Sequence, residues 1–95
     1  MRAIERTTAF KKDFKREKKG KHKKTLDVLL ASVVTILAED RPLPMANKDH
    51  ALIGNWDGFR DCHIKPDLLL LYGRPDDSTL TLVLVRLGSH SEIFG

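Results

Sequence analysis

Cysteine is nearly absent from this chain: of 95 residues only Cys62 is one, so no internal disulfide can form. That usage fits a reducing compartment. Cys62 falls on the strand face opposite its neighbour His63, where it reads as a small buried filler rather than a reactive thiol. Long apolar runs are missing too. No stretch approaches the ~18 residues of a membrane span, and the start of the chain meets Arg2, Glu5 and Arg6 without the apolar segment of a secretory leader. The expected location is the cytoplasm. Gly88-Ser89-His90-Ser91 lacks the G-x-S-x-G turn of a serine hydrolase, and Gly54, Gly58 and Gly88 are not spaced as a phosphate-cradling loop. No cofactor is expected. His50, His63, Asp67 and His90 match no compact metal signature, so no metal is expected either. There is no internal repeat and no low-complexity tract. The apolar share of 41% is low for a globular domain, yet its clear periodicity argues against disorder. Residues 1–95 are expected to form one domain with a single modest core.

Positive charge, by contrast, is concentrated near the start. Between Met1 and Lys24 eleven Lys and Arg face only Glu5, Asp13 and Glu17, a local +8 inside a chain of net +4. Such density exceeds an ordinary solvated helix face and points to a polyanion, either nucleic acid or an acidic protein. Lys11, Lys12, Lys15, Lys18, Lys19, Lys23 and Lys24 form the expected phosphate-facing patch.

Periodicity then orders the elements. Arg2 to Arg6 reads as a short edge strand, and Thr7 or Thr8 as the N-cap of a helix. Phe10 and Phe14 share one face of that helix, and Gly20 is expected to end it in a left-handed conformation. A second helix is predicted from His22 to Glu39. Its apolar stripe is Leu26, Leu29, Leu30, Val33, Val34 and Leu37, widened by Val28 and Ile36, and Pro42 and Pro44 stop it. Residues 41–58 form a long connection without clear period, carrying Lys48-Asp49-His50 and Gly54-Asn55-Trp56-Asp57-Gly58. Phe59 to Lys65 alternates as a strand, with Phe59, Asp61, His63 and Lys65 on one face and Arg60, Cys62 and Ile64 on the other. Lys65-Pro66-Asp67 is a turn. Leu68 to Tyr72 is a strand covered on both faces, and Thr79 to Leu87 follows the turn material of residues 73–78. The predicted fold is α+β: a short N-terminal strand, a two-helix hairpin, then a three-strand antiparallel meander with the helices packed on one sheet face.

That topology gathers chemistry. The first strand of the meander ends near His63, the second begins near Asp67, and the third ends near Arg86, just before Gly88-Ser89-His90. In an up-down-up order these points share one end of the sheet. Two imidazoles can act as base and acid near neutral pH. In-line attack by an RNA 2′-hydroxyl needs one group to take the hydroxyl proton, another to protonate the leaving 5′-oxygen, and a cation beside phosphorus. His63, Asp67, His90 and Arg86 supply these parts. Arg86 interrupts an apolar strand, so it should meet a phosphate or a carboxylate. His22, among lysines, reads as solvated surface.

The stretch Lys48 to Tyr72, KDHALIGNWDGFRDCHIKPDLLLLY, resembles the YafQ group of the RelE/ParE superfamily of bacterial type II toxins, and so does the ending Arg86 to Gly95. The likeness rests on His50, Gly54, Trp56, Gly58, Arg60-Asp61, His63, Pro66-Asp67, Arg86, His90 and Phe94, and covers nearly the whole chain. It implies a RelE-like fold and a ribosome-dependent mRNA endonuclease that halts translation. His50, His63, Asp67, His90 and Phe94 match positions that the family uses for activity, and Arg86 a position near the scissile phosphate. By that likeness His90 is the general acid, and His63 with Asp67 or Asp61 a base or orienting pair. Phe94 would stack on a base, or else dock as a C-terminal ring on the core. The basic helices would grip ribosomal RNA. A neighbouring antitoxin would wrap this surface, and the pair would bind operator DNA. Two other readings are a ParE-like gyrase inhibitor without catalysis and a plain RNA-binding module.

Overall fold

Thr7 joins the first strand to the first helix in the computed structural model, which describes residues 1–75 and 80–95. Strand β1 (Ala3–Arg6) precedes it and helix α1 (Thr8–Glu17) follows. The Thr7 hydroxyl accepts from the Phe10 amide at 2.9 Å, as an N-cap should. It also donates to the Val85 carbonyl at 2.7 Å, which ties the cap to the sheet. Helix α2 (Leu26–Ala38), strands β2 (His50–Ala51), β3 (Arg60–Lys65), β4 (Leu68–Gly73) and β5 (Thr81–Gly88), and helix α3 (His90–Phe94) complete the chain. The expected turn residues Asp76, Asp77 and Ser78, and Thr79 as the start of the last strand, lie outside the described residues.

The strands form one sheet in the order β1-β5-β4-β3-β2. The meander β3-β4-β5 is antiparallel as predicted, but β1 joins β5 in parallel, so the sheet is mixed. Two-residue β2 adds an antiparallel edge from within the long connection. Beyond Leu84 the strand β5 has lost its β1 neighbour, and α1 takes that place. Asp13 Oδ2 accepts from the Leu87 amide at 3.0 Å, and Arg16 Nη2 donates to the Leu87 carbonyl at 2.9 Å. Side chains thus satisfy a strand edge that backbone would otherwise have to pair.

Alternation along β4 divides the interior. Leu68, Leu70 and Tyr72 face α1 and α2, packing with Phe10, Leu26, Leu30, Val33, Leu37, Leu82 and Leu84. Leu69 and Leu71 face the other way, against Ile93, Leu52, Trp56 and Phe94. The two long helices do share one sheet face, and α3 with the long connection covers part of the second.

Helix ends differ from expectation in three places. α1 stops at Glu17 with Lys18 as its cap, and Gly20 is not among the left-handed residues. α2 begins at Leu26 rather than His22, after a run of turns, and Val28 is 72% exposed instead of widening the stripe. Its C-terminus is closed before the prolines by Asp40, left-handed at φ 58°. The Asp40 amide bonds to Leu37 O (3.1 Å) and the Arg41 amide to Ile36 O (3.0 Å), a Schellman closure. Arg2 Nε holds the Asp40 carboxylate at 2.8 Å. No helix among the described residues is long and apolar enough to cross a membrane.

Candidate active site

Leu69 marks the end of the sheet where the histidines meet. Its register partners are His63 on one side and Gly88 on the other, and His90 follows two residues later at the start of α3. Two residues along, on the same sheet face, Leu71 lies between Asp61 and Arg86. On the outer edge, β2 sets His50 opposite Asp61. These placements open a cleft of about 300 Å³ lined by His50, Leu52, Ile53, Trp56, Asp61, His63, Leu69, His90 and Phe94. The sheet end therefore brings together His63 and His90, as strand order alone foretells. His50 and Asp61 join them.

Asp61 is the buried charge at the centre. It is 2% exposed, and its Oδ1 has no hydrogen-bond partner among the described residues. Burial raises its pKa above the usual carboxylate value, while His50, His63 and His90 pull it back down. His50 Nδ1 is 3.1 Å from this oxygen but is directed at the Lys48 carbonyl, 2.7 Å away. A carbonyl can only accept, so Nδ1 carries a proton and Nε2 is left as the variable position.

His90 opens α3, whose start is closed by a capping box: Ser89 Oγ accepts from the Glu92 amide at 3.2 Å, and Glu92 Oε1 accepts from the Ser89 amide at 2.8 Å. Arg16 Nε reaches Glu92 Oε2 at 3.2 Å, so α1 braces the short helix. Gly88 has φ 159°, a conformation that residues with a Cβ rarely adopt, and a Cβ there would stand 2.7 Å from Arg16 Nη2. The Phe94 ring lies 4.9 Å from that of His90 and 6.0 Å, edge-on, from that of Trp56. It walls the cleft rather than filling the main core.

Two expected members stand elsewhere. Asp67 does not line the cleft. It is held by Lys21 and, at 2.9 Å, by His22 Nε2, both in the α1–α2 connection, and the Lys21 hydrogen bond in particular pulls its pKa down to about 2. A turn at the right end of the sheet need not aim its side chain at the right face, and here the carboxylate goes to the helix side. His22 is correspondingly a half-buried partner rather than free surface. Arg86 meets a carboxylate, not an open space for phosphate: its Nε and Nη2 lie 2.6 and 3.2 Å from Asp13. Of the basic set, Lys11, Lys12, Lys15, Lys19, Lys23 and Lys24 are exposed, whereas Lys18 is engaged by Asp27 at 2.6 Å. Lys12, Lys15, Arg16 and Lys19 line a shallow groove along α1 that adjoins α3 through Arg16.

Residue order gave no warning of Asn47, which donates to the His63 carbonyl at 2.8 Å, or of Asp49, which accepts from the Tyr72 hydroxyl at 2.5 Å. Asp61, reached in the sequence only through the family resemblance, also follows from the reasoning applied to Arg86, because it too is a charge on a strand facing leucine.

The profile of a family described as the bacterial toxin of type II toxin–antitoxin system, YafQ, matches residues 2–95. The mRNA interferase toxin YafQ of Escherichia coli strain K12 is 36% identical over 94 residues, covering 99% of this chain and 97% of that protein. The crystal structure of a metal-bound toxin from Helicobacter pylori superposes with a TM-score of 0.84 at 47% identity, covering 99% of this chain and all of that one. In the crystal structure of the E. coli DinJ–YafQ complex, a matching chain has a TM-score of 0.77 at 35% identity, with both chains covered fully.

Proposed function

The chain belongs to the YafQ family of toxins of bacterial type II toxin–antitoxin systems, and on that premise we propose that it is an mRNA interferase, a ribosome-dependent endonuclease that stops translation. The observation that carries the reading is the convergence of His50, His63 and His90 on one cleft around buried Asp61. A gyrase inhibitor or a passive RNA binder has no use for that arrangement.

The chemistry is in-line attack of a 2′-hydroxyl on the adjacent phosphorus. His63 takes the hydroxyl proton, the new O–P bond forms, and His90 gives its proton to the departing 5′-oxygen. Asp61, two residues from His63 on the same strand face, sets a buried carboxylate beside the imidazoles that line the cleft. His50, its Nδ1–H held by the Lys48 carbonyl, leaves Nε2 as an acceptor for a hydroxyl of the RNA. Acid and base contribute ~10²–10⁴-fold each. Phe94 and Trp56 offer ring faces to a base. Arg86, paired with Asp13, and Asp67, paired with Lys21 and His22, stand outside the cleft and handle no proton of the reaction. The exposed lysines of α1 and the following turn grip ribosomal RNA through its phosphates.

By analogy with the E. coli complex, the partner is a cognate antitoxin, and the pair binds operator DNA. The protein works in the cytoplasm as one RelE-like domain over residues 1–95. The test is cleavage of a defined mRNA in a purified translation system. Wild type should cut only with ribosomes present and the His90→Gln variant ~10²–10⁴-fold more slowly. Equal cutting by the variant, or none by wild type, would overturn the reading.

A further inference from the structure

We propose that Asn47, Lys48 and Asp49 form a latch that positions His50 and His63, making Asn47 and Asp49 positioning residues of the reaction. The inference rests on the nuclease reading for its rates but not for its structural content. Three consecutive residues each spend one polar group on the same task. Asn47 Nδ2 donates to the His63 carbonyl at 2.8 Å, fixing the end of β3. Lys48 adopts a left-handed conformation (φ 50°, ψ 43°), unusual for a residue with a Cβ, and its carbonyl receives His50 Nδ1 at 2.7 Å. Asp49 Oδ1 accepts from Tyr72 Oη at 2.5 Å and from Arg60 Nε at 3.3 Å. Tyr72 is fully buried, so Asp49 is anchored to the interior of the sheet.

The purpose follows from the weakness of β2. Two residues of strand on an outer edge cannot by themselves hold His50 opposite Asp61. The latch does so from the N-terminal side and dictates which ring nitrogen of His50 carries the proton. Nε2 is thereby left for RNA.

Imidazole ¹⁵N spectra of the free protein test the latch without any substrate. Wild-type His50 should show the Nδ1–H form. Tyr72→Phe removes one hydroxyl from an unchanged ring and should mix the His50 tautomers; Asn47→Ala should move the His63 signals. In both variants kcat on ribosome-bound mRNA should fall ~10-fold, with KM within about twofold, as misplacement rather than lost binding requires. Asn47→Ala, at a less buried position, answers the question if Tyr72→Phe does not fold. Imidazole signals that stay at their wild-type positions would overturn the latch, whatever the rates do. A wild type that cuts no RNA would sink the nuclease reading alone.

Discussion

Nδ1 of His50 stands 3.1 Å from Oδ1 of Asp61, close enough to feel its charge but not aligned to donate to it. Asp61 is therefore a buried carboxylate compensated by proximity to imidazoles rather than by a hydrogen bond at that oxygen. Such a site trades stability for chemistry.

Asp61→Asn should make the fold more stable and the enzyme worse. The folded pKa of Asp61 lies above its ordinary 3.8 because of burial. A group raised in this way contributes stability below its unfolded pKa and loses it as pH rises through the folded value, so at pH 7 the charge is a cost. Each ~1 kcal/mol of that cost removed would raise Tm by about 4–8 °C. Cleavage should drop ~10²-fold, since the buried carboxylate set among the three imidazoles is lost. Calorimetry and a cleavage assay on the same preparation check both halves.

Asp67 has the opposite sign. Its pKa is pulled down to about 2, first by the hydrogen bond from Lys21. Stability from this pair is complete above about pH 4 and vanishes as pH falls through 2. Urea unfolding of Asp67→Asn should therefore show a lower midpoint than wild type at pH 7, and the gap should shrink below about pH 4 and close only below pH 2. A gap that is independent of pH would place the role of Asp67 outside this ion pair.

The basic groove is testable by salt. Replacing Lys12, Lys15 and Lys19 with Gln should lower the slope of log K for ribosome binding against log salt by roughly 2. Lys18→Gln should leave the slope alone, because Lys18 is engaged with Asp27. Filter binding at several salt concentrations separates the two. An unchanged slope in the triple variant would mean that another face meets RNA.

Strand order was enough to place His63 and His90 together, because alternation along residues 59–65 and the short turn at Pro66 leave one antiparallel solution. The Thr7 cap and the two-sided burial of β4 were legible for the same local reasons. What was not legible depends on distant partners. Nothing near Ala3 says that it will pair in parallel with Thr81. His50 lies in a stretch without period, so only the resemblance pointed to it, and its tautomer needed the Lys48 carbonyl. The turn containing Asp67 sits at the foretold end of the sheet, yet the choice of face fell to Lys21 and His22 across the helix hairpin. Val28 fits the helical stripe by spacing and still points to solvent, since a stripe that wide does not say where its edge is.

The end groups of the cut mRNA test the central claim most directly. Products recovered from wild-type protein acting on ribosome-bound message should carry a 2′,3′-cyclic or 3′-phosphate upstream and a 5′-hydroxyl downstream. That pair requires the neighbouring 2′-hydroxyl as nucleophile and two proton-handling groups in one cleft. A 3′-hydroxyl upstream with a 5′-phosphate downstream would mean that water attacked instead, and the roles given to His63 and His90 would be wrong.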